Sequence, residues 1–225
     1  MALLLLVLFS VAFAATHIGM SHGALRARLV DKLGLWPFRG VYSLVSILTL
    51  GGAALLFWAN RHAGPVLWTA PRWVAVLVSL PLMFLAMELL VLILGSPSPA
   101  SLLPARAEVR AVLRITRHPM NMALACFSLA HLVGNGTLGD VSFFGSIFTV
   151  GFFGAFHQDR RIARERGEAY RAFLDQTSVL PFAAILAGRT RLDLGELSLP
   201  LLILGFLVFA ALAVFHGALF RAPLL

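Results

Sequence analysis

Six runs of nearly unbroken apolar residues alternate with polar connections along the chain: Met1–Met20, Phe38–Ala59, Trp73–Gly95, Met120–Val133, Val141–Phe156 and Leu197–Leu219. About 20 such residues in an α-helix cross the ~30 Å of bilayer hydrocarbon. The pattern therefore predicts an all-α fold, a polytopic membrane helical bundle of about six transmembrane helices forming one domain over residues 1–225. The fourth and fifth runs hold only 14 and 16 residues, below the ~17 needed to cross. They predict a shallow hairpin whose Gly134-Asn135-Gly136 turn lies within protein, since exposed backbone is not tolerated in lipid. After the fifth run, Ile162, Ala163, Ala169, Tyr170, Phe173 and Leu174 recur at helical spacing. They predict an amphipathic helix over Gln158–Asp175 lying on the cytoplasmic membrane surface, with a bend at Gly167. Ser96-Pro97-Ser98-Pro99 and Pro104 end the third helix.

Charge then orients the bundle. Of 18 Lys and Arg residues, 15 fall in alternate connections. Arg26, Arg28, Lys32 and Arg39 mark the first; Arg106, Arg110, Arg114 and Arg117 the third; Arg160, Arg161, Arg164, Arg166, Arg171, Arg189 and Arg191 the fifth. Short basic loops stay inside, so these three connections are cytoplasmic and both termini lie outside, as in an integral protein of a bacterial inner membrane. Ala12-Phe13-Ala14 before Ala15 resembles a signal-cleavage pattern, but no basic stretch precedes it, and a retained first helix completes the alternation.

Composition narrows the partners. Apolar residues make up 60% of the chain and charged residues 12%, the balance of a lipid-solvated protein. The net charge of +8 lies almost wholly on one membrane face, where orientation and anionic lipid account for it, so no nucleic-acid partner is expected. A single cysteine, Cys126, excludes a disulfide framework.

Candidate chemistry rests on a few side chains. Of seven histidines, His17, His118, His131 and His157 fall in or beside helices, and neutral imidazoles from two helices can hold a haem iron between them. Each equally suits a capping or backbone-bonding role. Glu88 is the one carboxylate deep in an apolar run. Its desolvation requires it to face the bundle, as a functional group or a structural hydrogen bond. Arg114-Ile115-Thr116-Arg117-His118-Pro119 places arginines and a histidine at a proline-started helix, where an anionic ligand could be bound; Arg117 and His118 join Glu88 as catalytic candidates.

RITRHP at Arg114–Pro119, LAH at Leu129–His131, DRR at Asp159–Arg161, GEA at Gly167–Ala169 and TSVLPFAAILAG at Thr177–Gly188 resemble the NnrU family of membrane proteins, which zeta-carotene isomerases also resemble. His17, Leu25-Arg26, Arg39 and Tyr42–Ser46 extend the resemblance to the amino end. It implies a membrane protein of denitrification and nitrogen-oxide metabolism, or a haem b enzyme isomerising a polyene such as zeta-carotene. Implied partners are a hydrophobic small molecule or nitric oxide, and a redox partner. The implied haem-iron ligands are His131 and His17, with His22 competing for the latter role and His118 and His157 as alternates. By the topology above, His17 lies near the cytoplasmic end of its helix and His131 ~20 Å beyond His118 along the fourth. Only a shallow hairpin brings His131 nearer mid-depth. A second resemblance, to membrane methyltransferases and sterol reductases, implies a cytoplasmic cofactor pocket at Arg117, His118, Arg160, Tyr170 and Pro181, although Asp159-Arg160 stands where the methyltransferases carry two acidic residues. An assembly factor for a denitrification enzyme is the non-catalytic alternative.

Reporter fusions within Arg106–Arg117 are expected to report a cytoplasmic location. An external signal there would overturn the orientation.

Overall fold

In an apolar surround the backbone must satisfy its own hydrogen bonds, and a helix does so within one segment. In the computed structural model, which describes residues 1–99 and 108–221, 77% of the chain is helical. The helices are α1 (Ala2–Ser21), α2 (Gly23–Leu33), α3 (Leu35–Ala59), α4 (Arg72–Leu92), α5 (Val112–Ile115), α6 (Pro119–Gly134), α7 (Leu138–Arg166), α8 (Glu168–Gln176), α9 (Ala183–Leu186) and α10 (Leu199–Phe220). Pro104 and Arg106 lie outside the described residues.

Five helices, α1, α3, α4, α7 and α10, are long and apolar enough to cross a membrane; α6, with 16 residues, is apolar but shorter. Large side chains on α3 and α10 stand exposed, among them Leu55 and Val214, both 75% accessible. So large an apolar surface suits lipid as its solvent. Trp36, Trp58, Trp68 and Trp73, all exposed, fall near helix ends, where indoles favour the membrane interface.

Two expectations are corrected. The predicted fifth helix does not stop at Phe156: α7 continues to Arg166, so Gln158–Asp175 is not one surface helix. The cause is a buried stripe at helical spacing, Gly151, Ala155, Asp159 and Ile162, which runs past the predicted end. Gly167, at φ 61°, breaks the helix where a bend was expected, and α8 follows with Tyr170 and Phe173 buried. The hairpin is also not shallow on both sides, because 29 residues of α7 span about 43 Å. Only α6 is short. Beyond its end, the connection from α3 to α4 folds over the turn: Leu67 N–H donates to Gly136 C=O (2.7 Å), Leu138 N–H to Pro65 C=O (3.0 Å) and Trp68 Nε1 to Leu132 C=O (3.0 Å). Helix α2, with Arg26, Arg28 and Lys32, is an element the hydropathy pattern did not predict.

The long helices pack in the order α3, α1, α7, α6, α4, α10. α1 and α7 run parallel, with Phe13 against Ile147 and Val150, and His157 Nε2 donating to Ser21 C=O at 2.9 Å. The ends of the row, α3 and α10, approach at their C-terminal tips, where Arg61 Nη1 donates to Phe220 C=O. α10 starts from a bidentate clasp: Arg114 Nε and Nη2 each donate to Glu196 at 2.8 Å, and Ala111 N–H adds a third bond at 2.6 Å. The hydrogen bond from Arg114, then that from Ala111, hold the Glu196 carboxyl down at about 2. A depressed carboxyl contributes stability above its ordinary range, near pH 4.5, and loses it as pH falls toward about 2.

α6 and α7 cross closely at Gly151. A Cβ there would lie 2.8 Å from Asn121 C=O and 3.1 Å from Ala125 N. Gly151→Ala is expected to destabilise by about 1–3 kcal/mol, read as a lower unfolding midpoint in detergent. Gly145→Ala, whose Cβ would meet only Val141 at 4.0 Å, should leave the midpoint unchanged. Equal midpoints for both variants would refute the close crossing.

Candidate functional site

Polar chemistry gathers at the basic end of the bundle, where α6 begins and α7 ends. Pro119 opens α6 at a position that needs no N–H donor, which leaves His118 as the residue before the helix. His118, 1% exposed, donates through Nε2 to Asp159 Oδ1 at 2.7 Å. Arg117 grips the other oxygen through Nε (2.9 Å) and Nη2 (2.7 Å), and Tyr170 Oη donates to Oδ1 at 2.9 Å. Burial, then the adjacent carboxylate, pushes the Tyr170 phenol well above its usual range, so it stays a donor. Arg117 Nη1 also binds Thr177 C=O, Arg117 N–H binds Ser178 C=O and Thr116 Oγ1 binds Val179 C=O. The buried carboxylate thus knots α6, α7, α8 and the following strap together. Beside it lies an open cleft of about 260 Å³, lined by Arg117, Phe156, Thr177, Leu180 and Arg189 among others. Arg160 is exposed and makes no part of the knot.

At the opposite end the chemistry is aromatic. Five ring contacts link six side chains across four helices in a hoop that begins and ends on adjacent residues of α3. Phe57 on α3 meets Phe144 on α7 (5.2 Å between centroids), and Phe144 stacks on His131 of α6 (4.4 Å, 8° between planes). His131 faces His216 on α10 (6.5 Å), His216 meets Phe220 (5.0 Å), and Phe220 meets Trp58 (6.3 Å), which neighbours Phe57. Phe127 closes on His131 edge-on at 4.7 Å. No hydrogen bond joins the His131 ring to a described residue. Trp58 and Phe220 are 51% and 38% exposed, so this hoop is open toward lipid. The neighbouring polar groups are tied elsewhere: Asp140, wholly buried, accepts from Thr137 N–H and Oγ1 and pairs with His62 Nδ1 at 3.1 Å.

The sequence candidates distribute between these ends. His17 packs on Phe13 and Tyr42, with Nδ1 3.1 Å from Ser46 Oγ. Its level on α1 corresponds to about residue 153 of α7, nine residues from Phe144, which puts His17 and His131 about 13 Å apart in depth. The two implied iron ligands therefore lie at different levels of the bundle. His157 bonds Ser21 C=O and stacks on His22 at 5.4 Å, both at the basic end. Arg117 and His118 are joined, through Asp159, while Glu88 stands apart. It lies 7% exposed between α4 and α10, where a Cβ on Gly205 would sit 2.7 Å from its Oε2. Gly205 is eleven residues from His216, or about 16 Å along α10.

Sequence reasoning gave His216 no role, and named Asp159 only within the DRR motif and as a departure from the methyltransferase pattern. α6 and α10 both start at the basic end, so His131 and His216, each near the C-terminal end of its helix, reach the same level. Asp159, inside a run of arginines, reads as a surface charge.

Asp159→Ala is expected to cost about 3–5 kcal/mol, because it strands buried Arg117 without its partner. Tyr170→Phe should cost only about 1 kcal/mol. Thermal unfolding in detergent compares them, and equal losses would contradict the central role of the carboxylate.

Comparison with known proteins adds three findings. A family model described as NnrU protein matches residues 5–224. A 15-cis-zeta-carotene isomerase, chloroplastic, of Arabidopsis thaliana is 29% identical over 240 residues, covering 100% of this chain and 60% of the relative. The corresponding protein of Zea mays is 27% identical over 203 residues, covering 83% of this chain and 52% of the relative. The chain thus spans little more than half the length of these curated relatives. No solved structure matches.

Proposed function

The chain belongs to the NnrU family, and from that premise we propose that it isomerises a cis double bond in a lipid-dissolved polyene of the carotenoid class, with the aromatic hoop as the binding surface. The observation that carries this reading is the similarity to two 15-cis-zeta-carotene isomerases, in one case over 100% of this chain. That span includes all four helices of the hoop.

The geometry supports the reading on chemical grounds. A cis-to-trans isomerisation adds and removes no atoms, so it needs no soluble co-substrate. It needs an apolar surface reachable from the membrane and a group that lowers the barrier to rotation about one double bond. Phe57 and Phe127, both half-buried, offer ring surface against which a conjugated chain can lie, by the offset and edge contacts aromatic systems favour. The exposed rings of Trp58 and Phe220 open that surface to lipid. The connection from α3 to α4 is tied over the α6–α7 turn beside it by backbone hydrogen bonds.

The barrier-lowering group we assign is haem b held on His131. The donor chemistry fits, because His131 presents an imidazole with no hydrogen bond among the described residues, and imidazole is the ordinary haem-iron ligand. When bound, haem supplies a redox-active iron able to interact with a conjugated double bond. His131 would anchor and orient it, Phe127 and Phe144 pack against the imidazole, and α6 holds the ring about 20 Å from the basic end. In the orientation we propose, the basic end faces the cytoplasm and the hoop lies toward the outer leaflet.

The test uses purified protein in lipid vesicles with 15-cis-zeta-carotene, following the isomers by chromatography. Conversion at the 15-cis bond is expected. His131→Ala should reduce it by more than the ~100-fold at the upper end of what loss of an outer-shell partner costs. Unchanged substrate with haem-loaded wild-type protein, or full conversion by His131→Ala, would refute the assignment.

A further inference from the structure

Arginines at the ends of membrane helices ordinarily stand among water and headgroups, as Arg28 and Arg160 do here, both exposed. Three others converge instead, where α1 hands over to α2 beside the end of α7. Arg26, closing the first turn of α2, has its side chain 22% exposed and lies over the ring of buried Phe38, 5.9 Å from the centroid. Arg164 Nη1 reaches the start of the same helix, since a Cβ on Gly23 would sit 3.6 Å from it. Arg161, one turn back along α7, is half-buried, and its Nε is sealed from solvent with no hydrogen-bond partner among the described residues. The charges are not balanced. Arg26 repels Arg161, and Glu165 is the carboxylate that acts on both. It stands 3.6 Å from Arg26 Nη1, too far for a hydrogen bond, with its side chain 49% exposed. α2 begins without a side-chain cap or an acidic residue in its first turn, so its leading N–H groups add to the positive potential. A buried guanidinium nitrogen without an acceptor costs stability until an acceptor arrives. Three guanidinium groups around one loosely held carboxylate leave a place for a further anion.

We infer that Arg26, Arg161 and Arg164 form a binding site for a phosphate group, presented as the headgroup phosphate of an anionic membrane lipid. Guanidinium forks from two helices match phosphate oxygens, each able to donate two N–H groups. A rotation of the Arg161 side chain toward the anion gives its Nε the acceptor that the protein withholds. The level of the site favours a lipid as the source. Trp36, nearby in sequence, is 75% exposed with the Arg39 guanidinium 4.9 Å over its ring, an arrangement suited to the headgroup layer. From there Leu44 and Leu48 of α3, 56% and 60% exposed, continue as a surface for acyl chains. α2 packs on α1 and α3, and a phosphate held by these arginines bridges it to α7 as well. The site stands apart from the aromatic hoop and does not rest on the isomerase reading.

The experiment follows the thermal unfolding midpoint of the full-length protein in a neutral detergent as phosphatidylglycerol, phosphatidylcholine or inorganic phosphate is titrated in. It is repeated for Arg26→Gln, Arg161→Gln, Glu165→Gln and the exposed control Arg28→Gln. Phosphatidylglycerol should raise the wild-type midpoint saturably. Arg26→Gln and Arg161→Gln should each weaken its apparent affinity about 10-fold, the loss of one charge-assisted hydrogen bond. Arg28→Gln should leave the affinity unchanged. Glu165→Gln, which removes the competing carboxylate, should tighten binding about 2–5-fold, a gain that no folding defect imitates. Preference for phosphatidylglycerol over inorganic phosphate identifies the lipid headgroup as the occupant, and the reverse preference identifies the free anion; either result supports the site. The inference is overturned if no probe shifts the wild-type midpoint, if phosphatidylcholine stabilises as well as phosphatidylglycerol, or if Arg28→Gln loses as much affinity as Arg26→Gln and Arg161→Gln. Unchanged or weaker binding by Glu165→Gln overturns it too.

Discussion

The carboxylate of Asp159 sets the register on which the rest of the molecule depends. Buried charge is tolerated only where donors surround it, and here Arg117 and His118, at the start of α6, and Tyr170, on α8, supply them. That fixes the start of α6 against the end of α7. Because both helices are rigid rods rising 1.5 Å per residue, their opposite ends are then fixed as well. His131, thirteen residues after His118, arrives on Phe144, fifteen residues before Asp159. The close crossing at Gly151 lies between and keeps the two helices in contact over the interval.

The molecule is thus divided by polarity along its length. The basic end concentrates charge, hydrogen bonds and the open cleft beside Arg117. The other end concentrates rings and exposed apolar surface. A lipid-dissolved substrate of the kind proposed would partition to the second because apolar surface leaves water, while Arg114, Arg117 and Arg189 at the first are held by the protein's own carbonyls and carboxylates. Arg189, for example, donates to Asp175 C=O at 3.0 Å and Thr177 C=O at 2.9 Å. Their guanidinium groups stiffen the basic end, and the chemistry proposed here takes place about 20 Å away.

Much of this was legible in the sequence because lipid imposes simple rules. Helix positions followed from run length, and the break at Gly167 followed from a residue that alone tolerates φ 61° without strain. The extension of α7 was less legible: Asp159 and Ile162 look like the start of a surface helix until it is known that Asp159 is buried and paired. Arg117 and His118 were recognised as a unit, but the group that joins them was not, since a carboxylate flanked by arginines gives no sign of which one it will bind. The separation of His17 from His131 was foreseen as a conflict of depth. His216, which the structure places 6.5 Å from His131 between ring centroids, lay in a run whose uniform hydropathy drew attention only to its length.

The most direct test of where the chemistry lies is photo-crosslinking with a carotenoid-like polyene carrying a photoreactive group, in protein reconstituted into lipid vesicles, with adducts mapped by mass spectrometry. Adducts on peptides of α3, α6 and α10 that contain Phe57, His131 and His216 are the predicted result. Labelling confined to the cleft lined by Arg117, Leu180 and Arg189 would contradict the account and move the active site to the basic end.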